Sequence, residues 1–202
     1  MAIEAALVTP VVLLAIFGII EMAFLLKDDV ALTSLVRAGG RMASANAGLG
    51  PAGADASGLC ASPCTPESAP MLAVTAAAAI QRAGAALPKE SITKLWIYKA
   101  NDLGYPGDDG NTDWSCSSNC VEYMWSDTAE VFGYVKGSWA STSIYACAGD
   151  PDRVGVYMEA DHQFFTGLVG SKVPISDHAV FTFEPLAESI CGTGGTAAGQ
   201  HP

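Results

Sequence analysis

Hydrophobic residues dominate the start of the chain. From Ala5 to Ile20 only Thr9 carries a polar side-chain atom, and Met22–Leu26 resumes the run after a break at Glu21. About 20 apolar residues is what a helix needs to cross a hydrocarbon layer of about 30 Å. Beyond Leu26 the pattern turns amphipathic. Val30, Leu32, Leu35, Val36 and Met42 supply an apolar stripe, and Lys27, Asp28, Asp29, Arg37 and Arg41 a wet face. Pro10 is expected to bend this helix without ending it. Gly39 and Gly40 should weaken it by about 1 kcal/mol each relative to Ala. Gly48, Gly50 and Pro51 should stop it. A helix over 2–47 is roughly 70 Å long at about 1.5 Å per residue, of which a membrane takes less than half.

Residues 48–68, rich in Gly, Ala, Pro and Ser, read as a loop bearing Cys60 and Cys64. An alanine-rich helix is expected from Met71 to Ala86, ended by Pro88. The period then falls to two. Strands are expected over Ile92–Lys99, Val121–Trp125, Val131–Lys136, Arg153–Ala160 and Ser176–Glu184, with a hairpin turn at Ser126–Asp127–Thr128 and a short apolar turn or helix at Phe164–Val169. Residues 101–119 read as a loop and 137–152 as irregular. Helices followed by strands predict an α+β fold, with an antiparallel sheet covered by the helices. The expected units are the N-terminal helix (1–47), a cysteine-bearing loop (48–68), an α+β head (69–191) and a flexible tail (192–202).

The net charge of −11 lies almost wholly in the distal part. From Pro51 onward there are 17 acids and 7 bases, with no Lys/Arg cluster anywhere. Such a field repels phosphate backbones, which argues against nucleic acid as a partner. Six cysteines, all beyond the apolar segment, fit disulfides in an exported domain better than structural zinc or free thiols. The preferred pairing joins the close pairs Cys60/Cys64 and Cys116/Cys120 locally and leaves Cys147 with Cys191. No basic residue precedes the apolar run and no small-x-small site follows it cleanly, so the segment reads either as retained or as a mature N-terminus from which a basic leader has been removed.

Few residues invite chemistry. Glu4 is an acid at the start of an apolar rod, and a charge there costs about 2.5–3.5 kcal/mol on insertion scales unless it finds a partner. Glu21 is expected near the opposite membrane boundary, within reach of water or Lys27. The loop Asp108–Asp113 resembles a calcium loop only superficially: Trp114 stands where an EF-hand needs Gly, and Cys120 where it needs its bidentate Glu. A solvated turn is the expectation. Asp161–His162 and Ser176–Asp177–His178 suggest a triad or a metal pair, but strand neighbours point to opposite faces, so Ser176, Asp177 and His178 cannot all converge on one site. No catalytic, metal or cofactor motif is present. The aromatics at strand spacing read as core or cross-strand pairs, with a carbohydrate-binding patch conceivable around Trp139 and Tyr145.

Three stretches of the N-terminal region, AIEAALVTPVVLL at 2–14, FGIIEMAF at 17–24 and ALTSLVRAGGRMASA at 31–45, resemble the opening of TadE/TadG-like pilins, minor subunits of tight-adherence (Flp-type) pili. RVGVYMEADH at 153–162, FFTGLVG at 164–170 and SDHAVFTFEP at 176–185 also look like the paired terminal strands of that group. In the family the assembly glutamate is usually the fifth residue of the processed chain; here the matching acid is Glu4. The resemblance implies processing by a prepilin peptidase and storage in the cytoplasmic membrane with the head outside. Assembly machinery would then extrude the subunit into a cell-surface filament of pilin subunits. Leu7, Val11, Leu14, Phe17 and Gly18 would then meet neighbouring helices, with Glu4 setting their register. The rival expectation is a membrane-anchored surface protein whose head binds a ligand or carbohydrate.

Overall fold

A computed structural model describes residues 2–52, 69–84, 86–167 and 170–191, with side chains from Leu7 onward. Helix α1 (Ala2–Ala45) leads into α2 (Met71–Arg82). Strands β1 (Ile92–Ala100), β2 (Cys120–Ser126), β3 (Val131–Ser138), β4 (Arg153–Gln163) and β5 (Lys172–Thr182) follow, then a short α3 (Glu188–Cys191). The strands form one sheet in the order β3-β2-β1-β4-β5, with every neighbour antiparallel. This is the expected α+β architecture.

The two faces of the sheet follow the period-two pattern. Leu95 and Ile97 of β1, Val121 and Tyr123 of β2, Phe132 of β3, and Val154, Val156, Met158 and Ala160 of β4 are buried beneath the helices. Leu32, Leu35 and Val36 of α1 and Leu72, Ala73, Ala76, Ala77 and Ile80 of α2 complete that core. Trp96 and Tyr98 point the other way and form a second cluster with Trp114, Cys116 and Tyr157. Trp114 comes from the long loop after β1 and stacks on Tyr157 at 4.8 Å, so the loop roofs the outer face.

Several boundaries differ from the sequence expectation. Helix α2 stops at Arg82, four residues early. The Lys89 ammonium donates to the carbonyls of Ile80 (3.1 Å) and Ala83 (3.2 Å), satisfying the helix end before Pro88 is reached. Strand β4 continues to Gln163 and β5 begins at Lys172. The stretch after Gln163, read as a turn or helix, is therefore the tip of a long hairpin, described as far as Gly167. Pro174 is tolerated because β5 is an edge strand.

Gly39 and Gly40, read as weak points of the helix, are contact points. A Cβ on Gly39 would lie 2.6 Å from Ile80 Cδ1 of α2, and one on Gly40 would enter the ring of Phe181 on β5. Their missing side chains let α1 lie close to both the second helix and the sheet. Cys116–Cys120 is a disulfide, as its close spacing suggests, and so is Cys147–Cys191, the pair that the preferred connectivity leaves. Cys60, Cys64 and the tail after Gly192 lie outside the described residues.

Candidate functional site

Helix α1 is one continuous helix with two different environments. From Leu7 to Ile20 every described side chain is exposed and no part of the head covers it. Leu7, Val11, Leu14 and Phe17 stand free on this rod, and a Cβ on Gly18 would meet nothing within 4 Å. The backbone at Glu4 belongs to α1, while its side chain lies outside those described. The helix is long and apolar enough to cross a membrane. From Glu21 onward one stripe turns inward: Glu21, Ala31, Leu32, Leu35, Val36, Gly39, Gly40 and Ala43 are buried, with the spacing of a single helix face. The expected stripe needs two corrections. Val30 is 67% exposed and Met42 lies at the surface, because their positions fall outside the face the head covers.

The junction between bare and covered halves is built from charged groups. Glu21 is only 3% exposed, and its carboxylate accepts hydrogen bonds from the backbone N–H groups of Phe165 (3.1 Å) and Thr166. Its expected access to water or Lys27 is therefore wrong: the β4–β5 tip occupies that space, and Lys27 approaches Asp28 at 3.7 Å instead. Two turns further along the same face, Asp28 meets the His162 Nδ1 at 2.7 Å. His162, 2% exposed, is fixed on the inner face of β4, and its Nε2 finds no partner among the described residues. Asp28 was assigned to the wet face; it serves the junction instead. Asp161, its strand neighbour, points outward and pairs with Lys172 at 2.6 Å.

The remaining candidates disperse. Ser176 and His178 lie on the outer side of β5 opposite Glu159 and Tyr157, whereas Asp177 is opposite Met158. In the acidic loop, Asn101 is buried and organises the chain. Its amide donates to the carbonyls of Asp108 (3.0 Å) and Asn111 (2.9 Å), and its oxygen accepts from the N–H groups of Leu103 and Tyr105. Among the described residues no group of three or more His, Cys, Asp or Glu side chains is gathered for a metal. The surface patch expected around Trp139 is also corrected. Trp139 is fully buried beside Phe183, with ring centres 6.5 Å apart. A half-buried aromatic cluster lies instead on the outer face, where Trp114 contacts Tyr105, Tyr157 and His178 at 4.7–4.8 Å. Beside them the Lys94 ammonium donates to Glu159 (2.9 Å), a bond that holds its pKa above the ordinary range.

A helix long and apolar enough to span a membrane, joined to the head through an acidic junction, is consistent with a membrane-anchored protein. The family model described as TadE-like protein matches residues 1–41, so the N-terminal segment is TadE-like. That match takes in the bare rod and the first part of the buried stripe. No curated protein and no solved structure matches the chain.

Proposed function

We propose that this chain is a non-enzymatic structural subunit of a cell-surface filament of the tight-adherence, type IV-like kind. Before assembly, α1 spans the cytoplasmic membrane with the head outside. A prepilin peptidase trims the N-terminus, and the assembly machinery then withdraws the helix from lipid. In the filament, the face carrying Leu7, Val11, Leu14, Phe17 and Gly18 packs against the same helix of other subunits, and Gly18 permits close approach. Glu4 sets the axial register by pairing with the free α-amino group of a neighbour. An ion pair is stable in apolar surroundings only when both charges are satisfied.

The observation that carries this reading is the bare half of α1. Its run of exposed Leu, Val, Ile and Phe side chains far exceeds what a protein in water leaves uncovered. Lipid or sister helices must take that surface, and the TadE-like match over 1–41 favours a protein that uses both in turn. The test is Glu4→Ala. The variant should remain in carbonate-washed membranes and be lost from filaments sheared off cells. Its entry into filaments at the unaltered chain's level refutes the register role, and sheared filaments lacking the unaltered chain refute the subunit role.

A second reading, an anchored surface protein whose head binds a ligand or carbohydrate, draws on the Trp114–Tyr157–Tyr105 cluster of the outer face. Under it, Glu4→Ala changes nothing, and Trp114→Ala abolishes binding by the head.

A further inference from the structure

The lower end of the sheet carries two turns of opposite character. The β2–β3 turn holds Asp127 and Glu130 and stays level with the sheet. The β4–β5 hairpin does not. Strand β1 begins at Ile92, opposite Ala160, whereas β4 runs on to Gln163, paired with Lys172. Three further residue pairs carry the hairpin about 10 Å past the sheet edge at about 3.4 Å per residue. Hairpin tips in water favour Gly, Asn, Asp and Ser. This one has Gly167, Gly170 and Ser171 for its turn but also carries Phe164, half-buried, and Phe165, 82% exposed, and no charged residue lies between Gln163 and Lys172.

The position of the tip along α1 is fixed by the two bonds from Phe165 and Thr166 to Glu21. Glu4 and Glu21, the two acids that bracket the apolar run, stand 17 residues apart, about 26 Å along the axis at about 1.5 Å per residue. That approaches the roughly 30 Å hydrocarbon thickness. With α1 in a bilayer, the Phe165 ring lies at the boundary between acyl chains and headgroups, on the side of the helix that the head overhangs.

We propose that the β4–β5 tip is a second membrane contact: Phe165 enters the interfacial layer of the bilayer that α1 spans. The inference rests on α1 residing in the membrane, not on filament assembly. The charge nearest the tip, the Glu21 carboxylate, is 3% exposed and covered by its two N–H donors, and on the hairpin Asp161 and Lys172 neutralise each other at 2.6 Å, so the surface offered to lipid is apolar and requires no anionic lipid. Two contacts, one spanning and one resting, fix the rotation of the head about the helix axis.

The experiment uses the full chain in phosphatidylcholine vesicles. Phe165→Trp and, at the other end of the head, Leu103→Trp each add one tryptophan to the four present, and both sites are exposed enough to accept the larger ring. The added emission at position 165 should be blue-shifted, several-fold quenched by brominated phosphatidylcholine and shielded from iodide. That at position 103 should show the reverse. Equal iodide quenching at the two sites, with the chain still resistant to carbonate extraction, overturns the proposal while leaving the membrane helix standing. Extraction of the chain by carbonate overturns both.

Discussion

Replacing Glu21 with Ala removes the acceptor that joins the head's longest hairpin to the helix. Two backbone N–H groups bond to this buried carboxylate. Hydrogen bonds to a charged group contribute about 1.5–3 kcal/mol each, so the pair sums to about 3–6 kcal/mol. Water reaching the freed amides at a loop tip returns part of this, which leaves about 3 kcal/mol for opening the tip locally. Since about 1.4 kcal/mol is a factor of ten, amide exchange at Phe165 and Thr166 should quicken about 100-fold in Glu21→Ala. Glu21→Gln keeps an acceptor but loses the charge, and should fall between the two. Hydrogen–deuterium exchange on the chain in detergent micelles reads both sites directly, with Val156 in the sheet centre as an internal control. Protection at Phe165 and Thr166 unchanged within about threefold would refute the claim that Glu21 secures the hairpin.

Other consequences follow from packing and burial. Gly40→Ala forces a methyl group into the Phe181 ring and should destabilise the head by about 1–3 kcal/mol. Gly39→Ala puts a methyl group 2.6 Å from Cδ1 and 2.9 Å from Cγ1 of the fully buried Ile80, so a helix-propensity gain of about 1 kcal/mol should offset only part of the clash and leave a smaller loss than Gly40→Ala; urea unfolding compares the two. Removing Cys147–Cys191, separated by 44 residues, should cost about 4 kcal/mol on the chain-entropy scale. Removing Cys116–Cys120, separated by 4, should cost about 2 kcal/mol, and paired Cys→Ser variants measure the difference. Burial holds the phenols of Tyr98 and Tyr123 well above the usual tyrosine range. Both stay neutral in the fold, so their contribution is complete below about pH 10, the unfolded value, and is lost as pH rises above it. Absorbance titration should show the two ionising only with unfolding, and their ionisation in the folded chain near pH 10 would contradict the burial argument.

The elements that repeat a simple period were legible in the sequence. The apolar rod, the alternating strands and the locally spaced cysteine pair Cys116/Cys120 each carry their signal within a few residues. What escaped depends on contacts across the chain. Glu21 and Asp28 sit among charged or apolar neighbours that say nothing of a hairpin more than 130 residues away. Gly39 and Gly40 have low helix propensity, and only the approach of Ile80 and Phe181 turns that weakness into a fit. Trp139 lies in a stretch without periodicity, so its burial against Phe183 had no local mark. For the proposed assembly face the sequence names the residues, but their partners belong to other molecules.

The unbroken run of α1 from the bare rod into the head has a mechanical consequence. Its distal half is wedged between α2 and the sheet, so it cannot swivel without tearing the core apart. Tension or torque applied to the rod therefore reaches the β-sheet undiminished, as through the shank of a tool. Pro10, where a backbone hydrogen bond is missing, is a compliant point inside the helix. It lies midway along the rod, so bending is absorbed there and the grip on the head is spared.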